Sequence, residues 1–149
     1  MIPKPMFEVT AAITGTTKAG SFTGTCTAPA REAAALLTLV EEREELQGYV
    51  AAHSITVVHY VVARGGGKKA ASAAVADLLR IAEVVPLVAV DFSHALVLEA
   101  GGMKDFEDAV QASAALKVGA DYVVTSNKKD FRALAARTPS EMLAELARE

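Results

Sequence analysis

Three aspartates in the second half of the chain are the residues best suited by type and spacing to do chemistry. Asp105 and Asp108 stand three positions apart in a segment with helical character, so their carboxylates project side by side on one face. Asp130 follows a short apolar run, with Thr125 and Asn127 between that run and the aspartate. Carboxylate, hydroxyl and amide oxygens suit hard cations such as Mg²⁺ or Mn²⁺. This set therefore favours metal-assisted phosphodiester chemistry.

The elements around these residues should bring them to one edge of a sheet. The segment DYVVT, residues 121–125, is an apolar run of the kind that parallel sheets bury on both faces. Ligand sites in open α/β sheets lie at the carboxyl ends of such strands, where TSNKKD falls. We predict that the three aspartates point into one shared cleft there, with the threonine and the asparagine positioning water or phosphate.

The rest of the chain alternates helical and strand-like patterns without repeats. A helix is predicted after Pro29, a strand over GYVAAHSI, and a helix over TVVHYVVAR that stops at the glycines 65–67. VVPLVAV is the next predicted strand, with Pro86 near a sheet edge or a strand end because it lacks an N–H donor. This alternation predicts an α/β protein, a three-layer α/β/α sandwich around a mainly parallel sheet, with residues 1–149 as a single domain.

The composition narrows the class of protein. With 149 residues, 52% of them hydrophobic, the chain is long enough for a sizeable core. Its apolar runs are well below the ~20 residues of a membrane span, and MIPKPMFEV lacks the apolar core of a secretory signal. A single cysteine, Cys26, fits a reducing cytoplasm. The net charge of −3 argues against a broad nucleic-acid-binding face but not against a nuclease, because a carboxylate cluster is itself negative.

The segments DFEDAVQASAA and GADYVVTSNKKDF together resemble the second half of a PIN domain, and the resemblance spans residues 29–148. The PIN family contains metal-dependent ribonucleases, including the VapC-type toxins of bacterial toxin–antitoxin pairs. The resemblance implies an endoribonuclease that uses Mg or Mn, an RNA substrate and, for a toxin, a small antitoxin protein as partner. It also implies that Asp108, Asp105 and Asp130 hold the metal. Whether the chain forms a homodimer is left open.

The amino-terminal part departs from the family pattern. A PIN domain opens with a strand that ends in an Asp-Thr-Asn-like motif; here the nearest match places Glu8 at the aspartate, as a fourth metal ligand, and Thr10 at the amide. A second family acid is missing, and Val57 or Val58 stands where it would fall. Residues 9–28 are atypical, with seven threonines and no acid. We predict that this segment is the least regular part of the chain.

Several alternatives stay open. The missing acids favour a degenerate PIN-like domain that binds nucleic acid or protein without catalysis. A small-molecule-binding α/β protein is a third class, although it leaves the acidic residues unexplained. Asp105 could serve only as an N-terminal helix residue, and Asp130 only as the cap of a short turn. The glycines of ARGGGKK, residues 63–69, do not have the spacing of a phosphate-binding P-loop, although Lys68 and Lys69 could touch a nucleic-acid backbone.

Overall fold

The structure is a computed structural model that describes residues 5–7, 28–131 and 134–148. Helices and strands alternate along most of this length. The helices and strands, in chain order, are β1 (Pro5–Phe7), α1 (Ala28–Glu42), β2 (Tyr49–Ala51), α2 (Ala52–Ile81), β3 (Glu83–Val85), α3 (Ala89–Ala100), α4 (Phe106–Val118), β4 (Tyr122–Val124), a 3₁₀ helix (Lys128–Phe131), β5 (Ala136–Arg137) and α5 (Pro139–Leu146).

The strands form one parallel sheet of five strands in the order β3-β2-β1-β4-β5. The short strand β1 is central, and Phe7 pairs with Val50 on one side and Val124 on the other. Because all strands run the same way, their carboxyl ends lie at one edge of the sheet. The predicted α/β fold with a parallel sheet is confirmed.

Helices cover both faces of the sheet. This covering is required because side chains along each strand point alternately to the two faces, and apolar ones lie on both. Val50 and Val124 turn to the face covered by α1, α2 and α5, where Leu36 and Met142 complete the core. The neighbouring strand residues, such as Val123, turn to the other face and pack against α4. Helix α3 lies on α4 through small and branched side chains, among them Ala95, Ala109 and Val110. The result is the predicted three-layer sandwich.

Three element boundaries differ from the sequence prediction. The strand predicted over VVPLVAV, residues 84–90, ends at Val85, and α3 begins at Ala89. The strand predicted over residues 48–55 ends at Ala51, and α2 begins at once with Ala52, so His53 lies in the first turn of a helix. The helix predicted to stop at the glycines continues to Ile81, with a kink where Gly67 adopts a φ of 84°. Alanine-rich helix-forming sequence follows the glycines, and it extends the helix past them.

Local sequence signals are otherwise obeyed. Pro86 directly follows the edge strand β3, where it removes no ladder donor. Gly101 ends α3, and Thr138 caps α5 by accepting a hydrogen bond from the Glu141 N–H, while the Glu141 carboxylate accepts one from the Thr138 N–H. Apart from Ala28, which begins α1, the atypical segment lies outside the described residues, so the prediction about its regularity is not tested.

Candidate active site

The start of α4 brings two of the predicted aspartates together. Asp105 is the N-cap residue, and its carboxylate accepts a hydrogen bond from the backbone N–H of Asp108 at 3.1 Å. This is the capping role that its position suggested, because the first N–H groups of a helix lack partners within the helix. Asp108 is half-buried in the first turn, one position after the exposed Glu107. A carboxylate has about four acceptor sites, so capping leaves room for further ligands.

The turn after β4 brings the other predicted residues together. The Asn127 side-chain amide donates to the Asp130 carboxylate, and the Asn127 backbone N–H donates to the Thr125 hydroxyl at 2.9 Å. Thr125 is fully buried, and its own N–H donates to the carbonyl of Arg137 on the adjacent strand. Thr125 thus holds the turn on the sheet, while Asn127 orients Asp130. Phe131 anchors the same turn in the core.

The two pairs of residues lie in different surroundings. A cleft of about 540 Å³ is lined by Asn127 and Asp130 but not by Asp105 or Asp108. Across residues 5–7, 28–131 and 134–148, no group of three or more His, Cys, Asp or Glu side chains is placed to hold a metal ion. Glu8, the fourth predicted ligand, and Thr10 lie outside the described residues. Metal ligation by these aspartates therefore stays a prediction.

Beside Asp108 lies a group of polar side chains that sequence reasoning missed. We call it the open polar group; its members are His53, Ser54, Glu107, Asp108 and Gln111. The Gln111 amide donates to the Ser54 hydroxyl at 2.5 Å, and both side chains are buried. This bond ties α4 to the first turn of α2, directly after β2, and so places the start of α4 at the carboxyl edge of the sheet. The spacing of Gln111, three residues after Asp108, was the signal in the sequence.

Two members of the open polar group, His53 and Gln111, have buried atoms without a hydrogen bond to any described residue. These atoms are both ring nitrogens of His53 and the carbonyl oxygen of Gln111. Burial lowers the pKa of His53, and the nearby Glu107 carboxylate opposes that shift. Buried polar atoms without partners are rare in folded proteins and are tolerated mostly where function requires them.

The family of the chain follows from its sequence. A sequence model of the family described as PIN domain matches residues 23–129, which is more than half of the chain. The chain belongs to the PIN domain family. No curated protein matches it.

Solved structures share the fold of this PIN domain at low sequence identity. A structure of VapBC2 from Rickettsia felis bound to a DNA fragment from its promoter aligns with a TM-score of 0.65 and 15% identity, covering 91% of this chain and 98% of that chain. The Mycobacterium tuberculosis toxin VapC20, described as cleaving the sarcin–ricin loop, aligns with a TM-score of 0.62 and 17% identity, covering 87% and 94%. These likenesses establish the fold.

The structure distinguishes the two candidate positions of the missing PIN-domain acid. Val58 is 2% exposed and belongs to the core under α1 and α5, whereas Val57 is half-buried. Val57 follows His53 by four residues on α2, so both lie on the same side of the helix. A carboxylate at position 57 would lie on the side of α2 that carries His53, whereas one at position 58 would enter the core.

A second polar group lies further along α4, and its side chains are hydrogen-bonded to each other and to backbone carbonyls. We call it the closed polar group; its members are Asp91, Ser113 and Lys117. Lys117 donates to the Asp91 carboxylate and to the Pro86 carbonyl, each at 2.8 Å, and the Ser113 hydroxyl donates to the Asp91 carbonyl. The Lys117 ammonium, followed by the Val88 N–H, lowers the pKa of Asp91. This group fastens α3 to α4.

No described helix of this PIN domain combines the length and the apolar character that crossing a membrane demands.

Proposed function

We propose that this PIN domain is a divalent-metal-dependent endoribonuclease, and that it acts as the toxin of a toxin–antitoxin pair. The observation that carries the proposal is the pair of carboxylates, Asp105 and Asp108, at the start of α4 beside the carboxyl edge of the sheet. Family membership and the similarity in fold to VapC20, described as cleaving RNA of the sarcin–ricin loop, support the reaction class.

The residues present fit a magnesium or manganese ion. The donors at the start of α4 are carboxylate oxygens, and the buried, unpartnered oxygen of Gln111 one turn further on is a further hard donor. Mg²⁺ needs only one or two protein carboxylates when water and substrate phosphate complete its shell. In the proposed site Asp108 and Asp105 would hold the ion, with Asp130 and Glu8 as further ligands. The bound ion supplies a water of lowered pKa and stabilises charge on the scissile phosphate.

The other residues of the chain position these groups. Asp105 accepts a hydrogen bond from the N–H of Asp108 and so fixes the first turn of α4. The bond between Gln111 and Ser54 holds α4 against the start of α2, which keeps the carboxylates over the sheet edge. Asn127 orients the Asp130 carboxylate through its side-chain amide. Pre-organisation of this kind is what metal-assisted hydrolysis requires of the protein.

An antitoxin protein is the proposed partner, with a homodimer as a second assembly. Helix α3 exposes Val90, Leu96 and Val97, whose side chains are 68%, 55% and 66% accessible, and such a surface suits a protein contact. The VapBC2 structure is a toxin–antitoxin complex, which supports the same kind of partner here. We propose that the protein works in the cytoplasm, as the lone Cys26 favours.

Cleavage of a mixed RNA pool tests the function. We expect manganese-dependent cleavage that EDTA abolishes, and a loss of at least about 100-fold in Asp108→Asn, because even outer partners of a metal site change activity by about 10–100-fold. Asp77→Asn is the matched control, since Asp77 is exposed on α2 and pairs only with Arg80 at 3.5 Å among the described residues. Cleavage that resists chelation would reject the metal mechanism. Raised activity in Glu8→Asp with Thr10→Asn would support the proposed role of the amino-terminal strand.

The second candidate is a PIN domain that binds RNA or a protein but does not cut. The absence of a three-ligand acidic group within the described residues, together with valine at positions 57 and 58, favours it. No cleavage under any metal condition, combined with no manganese binding by calorimetry, would decide for this candidate.

A further inference from the structure

The cleft of about 540 Å³ lies beside the candidate active site, and its volume falls within the range of about 300–1,000 Å³ typical of small-ligand sites. One wall is the end of α3 with the glycines 101 and 102, whose lack of side chains leaves that wall open. The apolar surface inside comes from Leu98, Met103, Leu116 and Leu134. A flat, largely apolar group of a ligand would fit among these side chains.

Two lysines give the cleft a positive rim. Lys104 and Lys129 line it, and neither has an ion pair or a side-chain hydrogen bond with any described residue. Two nearby lysines differ, because Lys117 is bound to Asp91 and Lys128 to Glu141 at 2.9 Å. The two ammonium groups that face the cleft are thus the ones left to meet an anionic ligand. Phosphate is the anion that such pairs of lysines commonly bind.

The cleft shares two residues with the candidate active site. Asn127 and Asp130 line it, and they offer an amide and a carboxylate to the hydrogen-bonding edge of a ligand. We propose that the cleft binds one unstacked nucleotide of the RNA substrate, with its base among the apolar side chains and its phosphate on Lys104 and Lys129. Proteins that read single-stranded RNA hold splayed bases in this way, with the base edge read by polar groups. The inference rests on the proposed ribonuclease function and assigns its substrate specificity to the cleft.

A nucleotide fits these observations better than a protein segment does. The apolar surface, the two ammonium groups and the amide–carboxylate pair match the base face, the phosphate and the base edge of one ligand. A segment of the antitoxin is the competing occupant, and the experiment below tests it.

RNA binding without metal is the first measurement. A fluorescein-labelled single-stranded RNA of about six nucleotides, a length within the usual site sizes, is titrated in EDTA by anisotropy. We expect Lys104→Glu with Lys129→Glu to weaken binding by at least about 10-fold and to reduce the salt slope by about 0.7 per lysine. Arg64→Glu with Arg148→Glu is the matched control, since both arginines are exposed, do not line the cleft and change net charge equally. The control should change affinity by less than about threefold.

The sequence around the cleavage site is the second measurement. Leu116 is 46% exposed, so Leu116→Trp can fill the cleft without entering the core, and Leu79→Trp is its control at 53% exposure on α2. We expect Leu116→Trp to change which base is preferred next to the cut, and Leu79→Trp to leave that preference unchanged. A purely structural defect would instead lower cleavage at all sites in the same proportion.

Each result of these two measurements either supports or overturns the proposed nucleotide site in the cleft. Equal loss of RNA affinity in the double-lysine variant and in the double-arginine control, or no RNA binding by the unsubstituted protein, would overturn the proposal. Loss of antitoxin binding with RNA affinity intact would also overturn it, because the cleft would then hold the protein partner. Cleavage that depends on Asp108 but not on the cleft residues would leave the proposed function standing without the cleft. Cleft-dependent RNA binding without cleavage would support the cleft as an RNA site and contradict the proposed ribonuclease function.

Discussion

Helix α4 carries two polar groups that differ in how completely their hydrogen bonds are made. In the closed polar group, Lys117 bridges the Asp91 carboxylate and a backbone carbonyl, and Ser113 donates to the Asp91 carbonyl. In the open polar group, His53 and Gln111 retain buried atoms without partners among the described residues. Both groups join α4 to another helix. The difference in their hydrogen bonding therefore does not arise from one group lying between helices and the other on the surface.

The difference indicates what each group is for. A satisfied network of hydrogen bonds stabilises one arrangement of α3 and α4, and any ligand would have to break it. An unsatisfied buried atom costs about 1–3 kcal/mol, and evolution retains such a cost mainly where a ligand or reaction uses the atom. We therefore propose that the open polar group, where Asp108 also lies, serves the function, and that the closed polar group gives structural support.

The largest expected effect distinguishes the two valines beside the open polar group. Val58→Glu should destabilise the protein by about 3–5 kcal/mol, because it buries an unpaired charge in the core. Val57→Glu should fold normally and bind manganese at least about 10-fold more tightly, because it adds a hard oxygen ligand near Asp108. Urea unfolding and calorimetry measure the two quantities. Equal stability of the two variants would contradict the assignment.

An intermediate effect comes from making the open polar group apolar. Ser54→Ala combined with Gln111→Leu should raise the free energy of unfolding by about 1–3 kcal/mol, because it removes the unpartnered oxygen and both members of the bond. Manganese-dependent cleavage should fall in the same variant. In the closed polar group Ser113→Ala should instead lower stability by about 0.5–1.5 kcal/mol and leave cleavage intact. Urea unfolding and cleavage rates are measured for both variants. A lower free energy of unfolding in the first variant and a higher one in the second would contradict the comparison.

A smaller effect concerns acid stability and the closed polar group. The pKa of Asp91 is lowered in the folded state, so its contribution is fully present above its ordinary pKa and is lost as pH falls through the folded value. Lys117→Met removes the main cause of the shift. Its Tm should lie below that of the unsubstituted protein at about pH 7, and the gap should narrow at about pH 3 or below. A gap that stays constant over this range would show that Asp91 and Lys117 are not coupled.

The smallest effect concerns His53 in the open polar group. Its pKa is lowered by burial, so the unfolded chain takes up the proton at a higher pH than the folded protein does. Stability should therefore decrease as pH falls from about 6.5 toward the lower folded pKa, and His53→Gln should reduce that decrease. Glu107→Gln should steepen the decrease, because it removes the charge that raises the pKa. Tm measured in a pH series checks both signs.

Much of this PIN domain follows from local sequence. The cap at Thr138, the end of α3 at Gly101 and the position of Pro86 after an edge strand depend on neighbours within a few residues. The parallel sheet follows from apolar runs separated by helical patterns. Asp105 as a helix cap was likewise visible, because capping depends on the residues of one turn.

Only the tertiary structure decided which distant groups meet. The sequence could not show that Gln111 reaches Ser54 across 57 positions, that Lys117 is engaged while Lys104 and Lys129 face a cleft, or that Val58 rather than Val57 enters the core. It also did not reveal that α2 continues past the glycines with a kink at Gly67. Helical and strand periodicity arises from interactions along a few residues, whereas pairing across the fold depends on how whole helices pack on the sheet. The local sequence pattern therefore determined the fold class, whereas the packing of α2, α3 and α4 determined the arrangement of the site.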